Sequence, residues 1–142
     1  MLKASIMAEK QGAVIEVADP VAKDNWAVVK ILAAPMCTEY KAYAAGQVNA
    51  FLGHEAMGEV VDVAQACRVV LGDRVVVMPS YACGRCDVCI DGEYIHCEDL
   101  LDFNDFTGGG EGRATMAQLM LKPDWLIPKV PDDVSDDHAA LA

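Results

Sequence analysis

Four cysteines in one short stretch of the chain have the residue type and spacing of a metal site. They lie three, three and eight positions apart, with two glycines among them, and are Cys83, Cys86, Cys89 and Cys97. Zinc takes four thiolates in a closed tetrahedral site, which is structural because no ligand position stays open. Iron–sulfur clusters also take four thiolates, but the usual ferredoxin motifs have other spacings. We therefore predict a structural zinc in preference to a cluster, two disulfides or buried free thiols.

A second group of metal-ligating residue types is spread over a longer stretch. Cys37 follows one predicted strand, and His54 and Glu55 precede another. A thiolate and an imidazole at strand ends are ligands that catalytic zinc uses, with one position left for water or substrate. Glu55 fits either as a ligand or as a neighbour that orients His54. On spacing alone, each of these residues is more often an ordinary surface or core residue, and Cys67 is interpreted as a packing residue.

The charge balance argues against two classes of partner. The chain has 142 residues, with 22 acidic and 11 basic side chains and a net charge of −11. Nucleic acid and anionic membranes bind positive surfaces, so we expect neither as a partner and reject a nucleic-acid-binding zinc ribbon. No apolar run reaches the ~20 residues of a membrane span, and no signal segment begins the chain. We predict a cytoplasmic protein, in which six cysteines indicate metal or thiol chemistry.

Short apolar runs separated by turn signals predict a mainly β fold. Turns such as Gly72-Asp73 separate about seven strands. Such a series favours a β-barrel or sandwich over a helical fold. The predicted strands are 2–6, 13–17, 26–32, 59–63, 74–78, 114–121 and 125–127.

The remaining segments predict loops with few helical turns. One or two turns are expected over Thr38–Ala45, and residues 81–97 form a loop lobe whose few apolar side chains leave the metal to hold it. Asp102–Arg113 is a long polar loop. Its glycines, Gly108–Gly112, precede a predicted strand rather than a helix, so we interpret them as a mobile loop and not as a phosphate-binding turn.

The last residues predict a helix that has only begun. Ser135 is a good N-cap, and Asp136 and Asp137 suit the first turn of a helix. No Gly, Asn or Pro closes this helix before Ala142. We therefore expect the natural protein to continue beyond this sequence.

Several motifs resemble those of the zinc-containing medium-chain alcohol dehydrogenases. Residues 53–67, beginning Gly-His-Glu, resemble the family signature, and residues 72–77 resemble its turn and strand. The three cysteine spacings over residues 83–97 match its structural zinc lobe. Residues 129–135 resemble the segment that leads into its cofactor domain. The resemblance covers the whole chain.

The resemblance implies a GroES-like β-barrel catalytic domain over residues 1–142, with a zinc-bound loop lobe and few short helices. It implies that Cys37 and His54 are catalytic zinc ligands and that Glu55 is a ligand or a close neighbour. The family's third ligand and its NAD(P)-binding domain would follow Ala142. These are expectations from the family, added to what the residues themselves indicate.

The residues after Cys37 depart from the family pattern. The family usually has Gly or His, then Ser or Thr, then Asp, whereas this chain has Thr38, Glu39 and Tyr40. Glu39 therefore occupies the position of the family's proton-relaying hydroxyl. Thr38, which carries a hydroxyl, lies one position before it. Both residues stand as candidates for the relay.

By resemblance, the chain is the catalytic portion of a zinc-dependent, NAD(P)-linked alcohol or polyol dehydrogenase. Zinc would polarise the substrate oxygen, and hydride would pass to the nicotinamide of NAD or NADP. The expected partner is a small-molecule alcohol or polyol, and the family pattern is compatible with a homo-oligomeric complete enzyme. This chain alone is expected to be inactive. The alternative is a stand-alone, zinc-stabilised GroES-like binding module.

Overall fold

The structure is a computed structural model that describes residues 1–141. Six strands make up most of its regular structure: β1 Leu2–Ala8, β2 Gln11–Glu16, β3 Trp26–Ala33, β4 Ala56–Val63, β5 Arg74–Val77 and β6 Leu119–Pro123. The helices are short: α1 Glu39–Ala44, α2 Asp87–Ile90, α3 Phe103–Thr107 and α4 Asp136–Ala139. Single 3₁₀ turns cover Tyr94–His96 and Asp124–Leu126. None of the helices within residues 1–141 is long and apolar enough to cross a membrane.

The strands form two antiparallel sheets. β1 pairs with β2, and the second sheet has the order β5-β4-β3-β6. Bridges between Lys3 and Ala117 and between Ile6 and Asn49 connect β1 to segments outside the hairpin. The mainly β prediction is confirmed, with antiparallel strands and few short helices.

The first half of the central strand β3, Trp26–Val29, is buried, because β3 pairs with a strand on each side and this half packs on both faces. Val29 is opposite Val60 on β4 and opposite Met120 on β6, and all three side chains are buried. The β-branched residues of this run suit a pleated, fully covered strand. The main apolar cluster therefore lies on one face of the second sheet.

Aromatic rings cover the other face of the sheet. The Trp26 ring stacks on Phe106, with ring centroids 3.9 Å apart, and on Tyr81 at 5.6 Å. Phe103 meets the edge of Tyr81 at 5.4 Å. These contacts pack the segment after the cysteine lobe onto β3.

Three segments differ from the prediction. The polar segment 102–113 contains α3, because the Asp102 side chain accepts hydrogen bonds from two backbone N–H groups and caps the helix. The predicted strand over 114–121 begins only at Leu119, and the predicted strand at 125–127 lies mostly in a 3₁₀ turn. The buried Phe103 explains the helix, since it adds an apolar anchor to a segment that otherwise looks polar.

Candidate metal centres and the adjoining cleft

The structure brings the sulfurs of the four lobe cysteines together. One ligand atom from each of them lies within 4.8 Å of the others. The sulfurs of Cys83 and Cys89 are 4.0 Å apart. A tetrahedral site with zinc–sulfur bonds of about 2.3 Å requires sulfur separations of about 3.8 Å, so the spacing fits the ion.

Short turns position these sulfurs. Cys86 is the N-cap of α2 and Cys89 lies within that helix, whereas Cys97 follows the 3₁₀ turn. The backbone N–H of Cys83 donates to the Cys97 sulfur at 3.2 Å. Such N–H···S contacts hold the thiols in place before any metal binds.

The lobe is attached to the rest of the protein through buried apolar contacts. Cys83 and Cys89 share a buried cluster with Ala82 and Leu126. The Trp125 indole donates to the Ala82 carbonyl at 3.1 Å. The apolar support that the lobe sequence lacks is therefore supplied from the 3₁₀ turn after β6.

The electrostatics of the lobe favour a bound cation. Hydrogen bonds from the Arg85 and Cys86 backbone N–H groups lower the pKa of the Cys83 thiol to about 6. Burial raises the pKa of the Cys89 thiol. Four thiolates in one cluster repel each other unless a cation lies among them, and a zinc ion would supply that charge.

The second group also converges, although its members are far apart in the sequence. Ligand atoms of Cys37, His54 and Glu55 all lie within 4.8 Å of one another. His54 Nε2 is 3.9 Å from a Glu55 oxygen. About a third of each of these two side chains is exposed, so the cluster opens to solvent, unlike the lobe.

A buried carboxylate orients the imidazole. Glu39 is only 8% exposed, and one of its oxygens lies 3.0 Å from His54 Nδ1. Its other oxygen accepts a hydrogen bond from the Cys37 backbone N–H at 2.9 Å. With Nδ1 beside the Glu39 carboxylate, Nε2 is the ring nitrogen on the side of Glu55.

Thr38 makes a different contact from the one its position before a helix predicts. It precedes α1, but its side chain does not cap the helix. Burial, and then the Glu55 and Glu39 carboxylates, raise the pKa of the neighbouring Cys37 thiol, and the Thr38 side chain opposes this rise. The net effect is a raised pKa, so a metal cation is needed to hold Cys37 as a thiolate.

Gly53 permits the close approach that puts His54 in place. Its φ is +83°, and a Cβ there would lie 2.3 Å from the Thr115 hydroxyl and 2.8 Å from the Met116 backbone nitrogen. The Thr115 N–H donates to the Gly53 carbonyl at 3.3 Å. Only glycine fits this position, which explains the residue before the His-Glu pair.

A cleft of about 590 Å³ adjoins the second group. His54, Glu39 and Thr38 form part of its wall. The other side includes polar and aromatic residues that the sequence analysis did not single out, because they come from unrelated segments: Asn49, Phe51, Tyr81, Asp102, Asn104 and Arg113. Their positions follow from the fold and carry no local sequence signal.

Cys67 lies away from both groups. Its thiol is 3.3 Å from the Val69 carbonyl, and it packs against the main core cluster. This location agrees with its interpretation as a packing residue.

Comparison with known proteins defines the family. Residues 23–132 match the family described as the alcohol dehydrogenase GroES-like domain. Sorbitol dehydrogenase of Bacillus subtilis is 28% identical over 150 aligned positions, which cover 99% of this chain and 41% of that protein. L-threonine 3-dehydrogenase of Shewanella baltica is 31% identical over 146 aligned positions, which cover 96% of this chain and 41% of that protein. Among solved structures, alcohol dehydrogenase TADH from Thermus sp. ATN1 superposes with a TM-score of 0.80 at 25% sequence identity. The superposition covers 99% of this chain and 43% of the Thermus chain.

This chain belongs to the alcohol dehydrogenase GroES-like domain family, as the resemblance predicted. The superposition on the Thermus alcohol dehydrogenase confirms the predicted GroES-like fold. The chain spans about two fifths of the length of these dehydrogenases.

Proposed function

We propose that this chain is the catalytic domain of a zinc-dependent, NAD(P)-linked alcohol or polyol dehydrogenase. The observation that carries the proposal is the convergence of Cys37, His54 and Glu55, of which His54 also lines a cleft. A thiolate, an imidazole and a carboxylate are a donor set that suits catalytic zinc. Family membership supports the same activity.

Cys37 and His54 are proposed as zinc ligands, with Glu55 as a third ligand or a close neighbour. When bound there, zinc would act as a Lewis acid on the substrate oxygen. Nε2 is the His54 nitrogen proposed to bind the ion, because Nδ1 lies beside the Glu39 carboxylate. The partly exposed side of the group leaves room for the substrate oxygen to approach from the cleft.

Glu39 is proposed as a positioning residue rather than a proton relay. Both of its oxygens are already engaged: one accepts a hydrogen bond from the Cys37 backbone N–H, and the other lies 3.0 Å from His54 Nδ1. Thr38 follows Cys37 in the sequence, and it lines the cleft. It is the better candidate to pass the alcohol proton toward solvent.

The lobe is proposed to hold a second, structural zinc through all four of its cysteines. Its four thiols fill a tetrahedral shell and leave no position for substrate. We also propose a cytoplasmic location, since zinc-binding thiolates need a reducing compartment. NAD or NADP is proposed as the hydride acceptor, bound outside residues 1–141, because no βαβ dinucleotide-binding unit occurs among them.

The relatives suggest a small hydroxylated substrate. Their names specify sorbitol, a neutral polyol, and L-threonine, which carries a carboxylate. Several polar residues in the cleft, including Asn49 and Asn104, could hydrogen-bond to substrate hydroxyls.

The test is zinc content and alcohol oxidation by the complete gene product. We expect two zinc ions per chain by metal analysis and NAD- or NADP-dependent oxidation of an alcohol or polyol that Cys37→Ser abolishes. Cys67→Ser is the matched control and should change neither. A gene product that holds only the lobe zinc and oxidises no alcohol would instead support the stand-alone binding module.

A further inference from the structure

One basic residue in the wall of the cleft has no acidic partner. Arg113 lines the cleft together with His54. Among residues 1–141, no carboxylate oxygen lies within ion-pair distance of its guanidinium. The chain has twice as many acidic as basic residues, 22 against 11, so acidic partners are abundant elsewhere. The cation is therefore open to an anion from outside the protein.

The backbone around Arg113 is fixed on both sides. Leu121 N–H donates to the Gly112 carbonyl at 2.8 Å, and Gly112 is buried. Thr115 N–H donates to the Gly53 carbonyl. Thr115 is two positions after Arg113, and Gly53 directly precedes His54. Two residues of extended chain span about 7 Å. The Thr115–Gly53 hydrogen bond therefore ties the Arg113 segment to the segment that carries His54.

An aromatic ring supports the guanidinium. The Arg113 guanidinium carbon lies 5.4 Å from the centroid of the Phe51 ring. Stacking on an aromatic face is a usual way to orient an arginine without using its hydrogen-bond donors. The five N–H donors remain available to a ligand.

The two acidic side chains of the cleft wall are already engaged. Glu39 accepts a hydrogen bond from the Cys37 backbone, and its other oxygen lies 3.0 Å from His54 Nδ1. Asp102 caps α3 by accepting from the Asn104 and Asp105 backbone N–H groups at 2.7 and 3.1 Å. Neither acid pairs with Arg113, so the positive charge on that side is not neutralised locally.

A second cation lies behind the same wall. Lys122 is fully buried, its Nζ has no hydrogen-bond partner among the described residues, and it lies 3.7 Å from the centroid of the Tyr81 ring. Burial, and then the Arg113 charge, lower its pKa to about 7. An anion beside Arg113 would relieve the repulsion between these two groups.

We propose that Arg113 binds an anionic group of the substrate, a carboxylate or a phosphate, while the reacting hydroxyl lies at His54. The substrate class is then a hydroxy acid or a phosphorylated alcohol rather than a neutral polyol. A planar guanidinium pairs with either anion through two parallel hydrogen bonds. This inference rests on the proposed dehydrogenase function.

The kinetic test uses three matched substrates with the complete gene product: sorbitol, gluconate and sorbitol 6-phosphate. We expect kcat/KM to be at least about 10-fold higher for one of the anions than for sorbitol. Arg113→Gln should lower that value about 10- to 100-fold and leave sorbitol nearly unchanged, whereas Arg113→Lys should restore part of it. Lys30→Gln, which removes one exposed charge, is the control. Equal losses for all three substrates, or a preference for sorbitol, would overturn the inference.

A binding experiment on this chain separates the inference from the catalytic proposal. Inorganic phosphate and gluconate are titrated while NMR follows the Arg113 side-chain N–H signals. Saturable shifts that are lost in Arg113→Gln and kept in Lys30→Gln support the anion site, and their absence overturns it. Sorbitol oxidation without any anion preference would leave the dehydrogenase proposal standing and refute this one. Anion binding at Arg113 without oxidation of any alcohol would support the anion site and refute the dehydrogenase proposal.

Discussion

The two metal-ligating groups of this protein are built in opposite ways. The lobe takes four ligands from 15 consecutive positions, and its sulfurs are sheltered by Leu126 and Trp125. The second group takes Cys37 from the segment after β3 and His54 with Glu55 from the segment before β4, and His54 lines a cleft. Local ligands and a closed shell suit a structural ion, whereas ligands from separate elements and an open side suit chemistry.

The largest effect is expected from breaking the closed site. Cys89→Ser should release the lobe zinc and lower the free energy of unfolding by on the order of 5 kcal/mol, since structural zinc binding contributes directly to folding. Zinc analysis and urea denaturation measure both changes. Most of the β structure should survive, as seen by circular dichroism.

Cys67→Ser is the matched control for that variant, because its thiol lies outside both groups. It should keep the zinc content of the wild type. If Cys89→Ser also kept its full zinc content and stability, the lobe would not be the structural metal site.

The second prediction removes a ligand from the open site. His54→Asn in the complete gene product should lower kcat/KM by about 10³-fold or more, because it removes a proposed ligand of the Lewis acid. The melting temperature should change by no more than a few degrees, because the side chain is partly exposed. Steady-state kinetics and thermal melts together separate the two effects. A large loss of stability would erase the contrast between the sites.

The third prediction separates positioning from proton relay. Glu39→Gln should weaken zinc binding at the open site by about 10- to 100-fold, as loss of a partner that orients a ligand does. Thr38→Val should slow turnover while leaving zinc affinity unchanged. Competition with a chelator measures the affinity, and the pH profile of turnover measures the relay. If Thr38→Val weakened zinc binding as much as Glu39→Gln, the assignment of roles would be wrong.

The smallest effect concerns Lys122, which lies behind the Tyr81 ring between the lobe and the cleft. Its pKa is about 7 in the folded protein and has an ordinary value of 10.5. Between these two pH values Lys122 is protonated in the unfolded chain and neutral in the folded protein. Because a rise in pH disfavours the state that binds the proton, the free energy of unfolding should increase from pH 7 to about 10. Lys122→Met should raise the free energy of unfolding at pH 7 by about 1–3 kcal/mol and reduce this pH dependence. Urea denaturation at several pH values measures it.

Lys30→Met is the control for that variant, since Lys30 is exposed on β3. It should change stability by less than about 0.5 kcal/mol. An equal gain in both variants would show that burial of Lys122 is not the cause.

Prediction from sequence succeeded where the signal was local. The strands β1 and β3 and the turn before β5 follow directly from apolar runs and turn residues. The helix α3 was missed because a single buried phenylalanine, Phe103, and a capping Asp102 stand within a polar segment. Such a short helix is stabilised by tertiary packing rather than by its own propensity.

The sequence by itself determined the convergence of the four lobe cysteines, because they lie in one short segment and their spacing limits how the chain can fold around them. It determined the mainly β architecture through the alternation of apolar runs and turns. Only the tertiary structure decided that Glu39 faces His54 and that Arg113 shares a cleft with it. Residues 39, 54 and 113 lie on different segments, and their proximity depends on strand pairing and packing that no local pattern encodes.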